Sequence, residues 1–198
     1  NPDQTRIQAL DRALDILEVV AAGYGMTLTE IAADLKQSPA TVYRALATME
    51  ARQMFEADQL DQTWHIGPSS FRVGSAFLRR TSVVERSRPA MRVLMELTGE
   101  TSNLGIERNG QVLFISQVET HESIRAFFPP GTQSPMHASG IGKALLSRFD
   151  DKQMDRFLNS EKLVGFTERT IRNAEDLREE LRVSRERGYA IDDQEKAD

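Results

Sequence analysis

Thr27-Leu28-Thr29-Glu30-Ile31-Ala32-Ala33-Asp34-Leu35-Lys36-Gln37-Ser38-Pro39-Ala40-Thr41-Val42-Tyr43-Arg44 holds two helix starts in close succession. Thr27 with Glu30 three positions on has the form of a capping box, each side chain reaching the other's backbone N–H. Leu28, Ile31, Ala32 and Leu35 then share one face, so a short helix runs to about Lys36. Ser38 is a good N-cap, and Pro39 fits the first helical position, where its missing N–H is not needed. The helix it opens runs to about Ala51 and buries Val42, Ala45, Leu46 and Met49. Two short helices joined by so tight a turn predict a helix-turn-helix.

The flanking residues fit that unit. Ile7, Leu10, Leu14, Leu17 and Ala21 recur at helical spacing, with Thr5 and Gln8 as a capping box and Gly23 and Gly25 as the stop. After Ala51 the period changes. Gln53 to Ala57 and Thr63 to Ile66, separated by polar residues and ended by Gly67-Pro68, predict a β-hairpin, the wing of a winged helix-turn-helix. Ser70 to Thr98 is again helical, with a break at Thr81-Ser82, a second start at Pro89 and an end at Gly99.

Beyond Gly99 the pattern predicts strands over 101–107 and 111–118 around the Asn109-Gly110 turn, and a third over 123–128. Helices follow at about 139–149, 151–159 and 174–187. Gly188 caps the last, and Tyr189-Ala190-Ile191 begins a further strand. Strands followed by helices imply an α+β arrangement on an antiparallel sheet, one that ends soon after its last strand and so reads as truncated on its C-terminal side. The domains are therefore expected at 1–68 (winged helix-turn-helix), 69–98 (connector helices) and 99–198 (α+β, incomplete).

The 198 residues, 39% hydrophobic and 28% charged, suit a globular protein of one large or two small domains. No apolar run reaches the roughly 18 residues of a membrane helix, and the first residues lack the order of a signal peptide, so a cytoplasmic protein without membrane attachment is expected. No cysteine is present, which removes disulfides and thiolate chemistry. The net charge is −5, and residues 1–66 carry five Lys or Arg against ten Asp or Glu, so DNA affinity must come from local arrangement rather than bulk charge.

On the second helix of the pair, Ala40, Thr41, Tyr43, Arg44, Ala47 and Thr48 oppose the buried face. Small and hydroxyl-bearing residues let a helix enter the major groove, and Arg pairs with guanine or phosphate. Ser38, Ala40, Thr41, Tyr43 and Arg44 are the candidate DNA contacts; a merely solvated polar face is the alternative. In the wing, Gln59 and Gln62 are weaker candidates, and Trp64 suits a core better than a base stack. Arg79, Arg80, Arg86 and Arg88 suit a solvated or interdomain helix surface, with contact to the DNA backbone as the alternative.

In the second half, Gly131 to Leu146 leads small residues directly into a helix. That arrangement suits a small carboxylate on free N–H groups, or alternatively close helix packing at Gly140 and Gly142. His137 and Ser139 stand too close in sequence to face one another as base and nucleophile. Neither His65 nor His121 belongs to a set with metal-ligand spacing, so no catalytic residue, metal or cofactor is expected.

Several motifs, in order across nearly the whole chain, resemble the IclR family of bacterial regulators. They are Gln8-Ala9-Leu10-Asp11-Arg12-Ala13-Leu14-Asp15-Ile16-Leu17, Leu28-Thr29-Glu30-Ile31-Ala32, Ser38-Pro39-Ala40-Thr41-Val42-Tyr43-Arg44, Glu100-Thr101-Ser102, and the run from Pro135 to Leu146. The resemblance implies a winged helix-turn-helix, a GAF-like effector-binding domain and a homodimer or tetramer on a double-stranded DNA operator. Ser139-Gly140, where many members have Thr-Ala, resembles the glyoxylate-responsive members. It implies an effector site at Ser139, Gly140, Ile141 and Asp192. A different acid, pyruvate or an aromatic one, is the alternative effector, and an enzyme acting on such an acid the most distant reading.

Overall fold

A computed structural model describes residues 7–79, 82–120 and 128–196. They divide into two compact units, residues 1–81 and 82–198.

In the first unit α1 (Gln8–Ala22) is followed by β1 (Met26–Thr27), α2 (Leu28–Asp34), α3 (Pro39–Glu50), β2 (Phe55–Ala57), β3 (Thr63–Ile66) and α4 (Pro68–Arg79). The strands form an antiparallel sheet in the order β1-β3-β2, with Met26 opposite Trp64 and Phe55 opposite Ile66. Ile16 and Val20 of α1, Ile31 of α2, Val42 and Leu46 of α3, Phe55 and Trp64 make one core. The three helices are thus held by a single apolar stripe each, as their spacing required. Trp64 is buried core, not a surface ring.

The second unit contains α5 (Val83–Thr98), β4 (Ser102–Arg108), β5 (Gln111–Val118), β6 (Gln133–Pro135), a 3₁₀ turn (Met136–Ala138), α6 (Gly140–Leu146), α7 (Asp151–Ser160) and α8 (Ala174–Arg187). Its antiparallel sheet runs β4-β5-β6, and Asn109 and Gly110 both take positive φ, as a tight hairpin turn demands. Val112 and Phe114 pack with Met136, Leu146, Met154, Phe157, Leu177 and Leu181. Helices thus cover a face of the sheet, the expected α+β arrangement.

Several expectations are corrected. α1 begins at Gln8 on Ile7, which offers no side-chain cap; Thr5 lies outside the described residues. α1 does end at Ala22, before Gly23 and Gly25 as expected; of the two, Gly23 is extended at φ −94° and Gly25 takes the positive φ of 107°, where a Cβ would lie 2.5 Å from the His65 ring. Pro89 does not start a helix but sits inside α5. There the Ser87 hydroxyl donates to the Val83 carbonyl at 2.6 Å, four residues back along the helix. The strand expected over 123–128 lies, except for Phe128, outside the described residues; the third strand of the sheet is β6, paired to β5 through Val112 and Ser134. Tyr189-Ala190-Ile191 forms no strand. Among the described residues no strand pairs with it, and the chain turns instead, the Asp192 carboxylate accepting the Glu195 N–H at 3.0 Å while Gln194 takes a positive φ.

Candidate functional site

The helix-turn-helix is built as its caps dictate. Thr27 and Glu30 form the reciprocal capping box, which holds the Glu30 carboxyl below its ordinary pKa, chiefly through the Thr27 backbone N–H. Ser38 accepts from the Thr41 N–H at 3.3 Å, and its hydroxyl lies 2.9 Å from that of Thr41. Burying Val42 and Leu46 completely turns the other side of α3 outward, so Ser38, Ala40, Tyr43 and Arg44 are exposed and Thr41 is half-buried. The Thr48 hydroxyl donates to the Arg44 carbonyl at 2.7 Å. The Arg44 guanidinium has no carboxylate partner among the described ion pairs. In the wing, Asp58 accepts from the Leu60 N–H and Asp61 from the Thr63 N–H and hydroxyl, so both acids serve the turn.

The entry to α6 has the same chemistry in a different setting. Ser139 is buried and accepts from the Gly142 N–H at 3.1 Å. A Cβ on Gly142 would stand 2.2 Å from the Met136 carbonyl oxygen, so Gly142 is required by packing. Gly140 is not: a Cβ there would meet the Asp192 N and the Ala190 carbonyl at 3.6 Å, ordinary contact distances. Ser139, Gly140 and Asp192 are therefore neighbours, with the Asp192 side chain exposed, while Ile141 is half-buried beside Gly105.

Behind this entry lies a feature that sequence reasoning missed. Lys143 is 1% exposed, and its ammonium pairs with the buried Glu195 carboxylate. Burial pushes the Glu195 carboxyl above its ordinary value, against the opposing pull of Lys143. The pair joins residues far apart in the chain, and nothing in either local sequence announces it. His137 is buried with Nε2 2.9 Å from the Val164 carbonyl oxygen and its ring against Phe166, a structural setting. Among the described residues no group of three metal-ligating side chains converges, and no helix is long and apolar enough to cross a membrane.

Known proteins match this chain in two segments. Residues 9–59 match the IclR helix-turn-helix domain, and residues 75–198 match the bacterial transcriptional regulator IclR C-terminal domain. The chain is 54% identical over 194 residues to the HTH-type transcriptional regulator BhcR of Paracoccus denitrificans (strain Pd 1222), covering 98% of this chain and 70% of that protein. It is 35% identical over 203 residues to the transcriptional repressor IclR of Escherichia coli (strain K12), covering 99% and 73%. The crystal structure of an IclR-type regulator from Alicyclobacillus acidocaldarius shares the fold, with a TM-score of 0.80 at 24% identity over 97% of this chain and 78% of that one. These similar proteins are transcriptional regulators, not enzymes.

Proposed function

The chain belongs to the IclR family of bacterial transcriptional regulators and is a DNA-binding regulator, and from that premise we propose which surfaces do the work. Ser38, Ala40, Thr41, Tyr43 and Arg44 contact an operator duplex, with α3 in the major groove. The observation that carries this reading is that α3 buries Val42 and Leu46 fully and leaves Tyr43 and Arg44 in solvent. Tyr43 and Thr41 supply hydroxyls for phosphate, and Arg44 a fork for guanine or phosphate.

The effector is a small organic acid, glyoxylate in the first instance, held at Ser139, Gly140, Ile141 and Asp192. The closeness of Gly140 to Asp192 supports this, because it brings backbone N–H groups and a carboxylate to one place. A carboxylate ligand and Asp192 repel unless a hydroxyl intervenes, and the hydrated aldehyde of glyoxylate supplies one. Occupancy changes DNA affinity only by the ligand's differential affinity for the two arrangements. Repression, a cytoplasmic place of work and a dimer or tetramer on paired half-sites complete the reading. Leu10 and Leu14, apolar yet about half exposed on α1, support self-association of the first unit.

Titration calorimetry of the protein with glyoxylate, pyruvate and glycolate tests the effector. Saturable heat with glyoxylate that disappears in Ser139→Trp is the expected result. No heat with any of the three, from protein that still binds DNA, removes the assignment of this acid and leaves the regulator.

A further inference from the structure

Residues 1–66 carry twice as many acidic as basic side chains, so the surface that meets DNA has few cations to use, and where they gather is informative. One groove collects two of them. Between α1 and α3 lies a cleft of about 480 Å³, lined by Ala9, Arg12 and Ala13 of α1 and by Thr41, Arg44 and Thr48 of α3, among others. No carboxylate is among its lining residues, although Asp11 and Asp15 stand on the same helix as Arg12. Arg12 is exposed and, like Arg44, has no carboxylate partner among the described ion pairs. Gln37 also lines the cleft, and its side-chain oxygen is buried without a hydrogen-bond partner.

The α3 residues of this cleft are not a separate surface. Thr41 and Arg44 belong to the helix face that the proposed function assigns to DNA, so the cleft is the edge of that face. A chain of alternating anions running past α3 would bring a phosphate to it. The small residues Ala9 and Ala13 let a backbone approach α1, and Arg12 stands beside them. Leu10 and Leu14 lie on a different side of α1, about 100° of rotation being gained per residue, so self-association through them leaves Arg12 accessible.

The geometry points to Arg12 as a DNA-backbone contact: a phosphate of the strand bordering the major groove seats in the cleft between α1 and α3, held by Arg12 from one helix and Arg44 from the other. This rests on α3 being the DNA-facing helix. Such a contact positions the protein on the duplex and carries no sequence information. It therefore adds to binding of any duplex, and it is read as salt dependence rather than as base preference.

The test is fluorescence anisotropy of the full chain on a labelled duplex of random sequence, between about 50 and about 200 mM salt. Arg12→Gln is expected to weaken binding and to lower the slope of log affinity against log salt by about 0.9 for each protomer bound. Arg12→Lys, which keeps the charge, restores the slope. Arg156→Gln on α7 makes the same charge change in the other unit and leaves both quantities at the wild-type value. Wild-type affinity and slope in Arg12→Gln, with Arg44→Gln still impaired, would overturn the cleft contact while keeping α3 as the reading helix. Wild-type behaviour in both variants would overturn the placement of DNA on α3 as well. Thermal melting of each variant confirms that the exposed substitutions leave the fold intact.

Discussion

The α3 and α6 helices each begin on a serine whose side chain accepts a backbone N–H, Ser38 and Ser139, and they stand in opposite surroundings. Ser38 is exposed, and the helix behind it turns its polar face to solvent. Ser139 is buried, and the helix behind it carries Gly142 against the Met136 backbone and Lys143 against Glu195. The hydrogen bond is the same in kind, 3.3 Å from Thr41 and 3.1 Å from Gly142. What differs is what depends on it. At α3 the fold is secured by Val42 and Leu46, leaving the outer residues free of packing and available for the proposed recognition. At α6 the residues that follow the capped start, Gly142 and Lys143, are ones the packing needs, so the proposed ligand site adjoins residues that hold the fold.

The widest separation between the two helices is expected from the ion pair. Removing the carboxylate in Glu195→Ala leaves the Lys143 ammonium buried without a counter-charge, and denaturant unfolding of the second unit should show a loss of about 3–5 kcal/mol. A loss near zero would mean that water reaches the pair. Gly142→Ala should cost about 1–3 kcal/mol, because the new methyl group meets backbone and not a flexible side-chain end. Tolerance of alanine at 142 would break the claim that this entry is packed tight.

The serines themselves give a closer comparison. Ser38→Ala should cost about 1 kcal/mol, the ordinary loss of an exposed cap. Ser139→Ala should cost more, up to about 3 kcal/mol, since the Gly142 N–H is then buried without an acceptor. Equal losses in the two would remove the distinction. The smallest effect lies in pH. Glu30 is held below its ordinary value of 4.5, so the stability it contributes is present above that value and is lost as pH falls through the lowered folded value. Glu30→Gln should therefore flatten the acid limb of the first unit's unfolding curve below about pH 4.5. Glu195 runs the other way. Burial raises it, so its contribution is greatest at low pH and declines as pH rises from 4.5 through the raised folded value.

Much of the first unit was legible because its elements are set by neighbours in sequence. Thr27 with Glu30, Ser38 with Pro39, and the spacing of Ile31, Val42 and Leu46 are local signals, and the structure follows them. β1 was not legible: its two residues also lead into α2, and their strand character exists only through pairing with β3. The second unit shows the same limit. Asn109-Gly110 announced its hairpin, whereas β6 depends on its pairing with β5 and the expected strand at Tyr189 has no partner among the described residues. At the candidate sites, the polar face of α3 could be read from periodicity. The approach of Asp192 to Gly140, the pairing of Lys143 with Glu195 and the meeting of Arg12 with Arg44 in one cleft are products of tertiary packing, which no local pattern encodes.

In the proposed function the buried serine-capped entry controls what the exposed serine-capped helix does. The most direct measurement is the affinity of the full chain for a duplex selected for binding to it, with and without saturating glyoxylate, in wild type and in Ser139→Trp. A change of affinity in the wild type that is absent in Ser139→Trp is the predicted result; equal DNA affinity with and without glyoxylate in the wild type, under conditions where calorimetry shows the ligand bound, would contradict it.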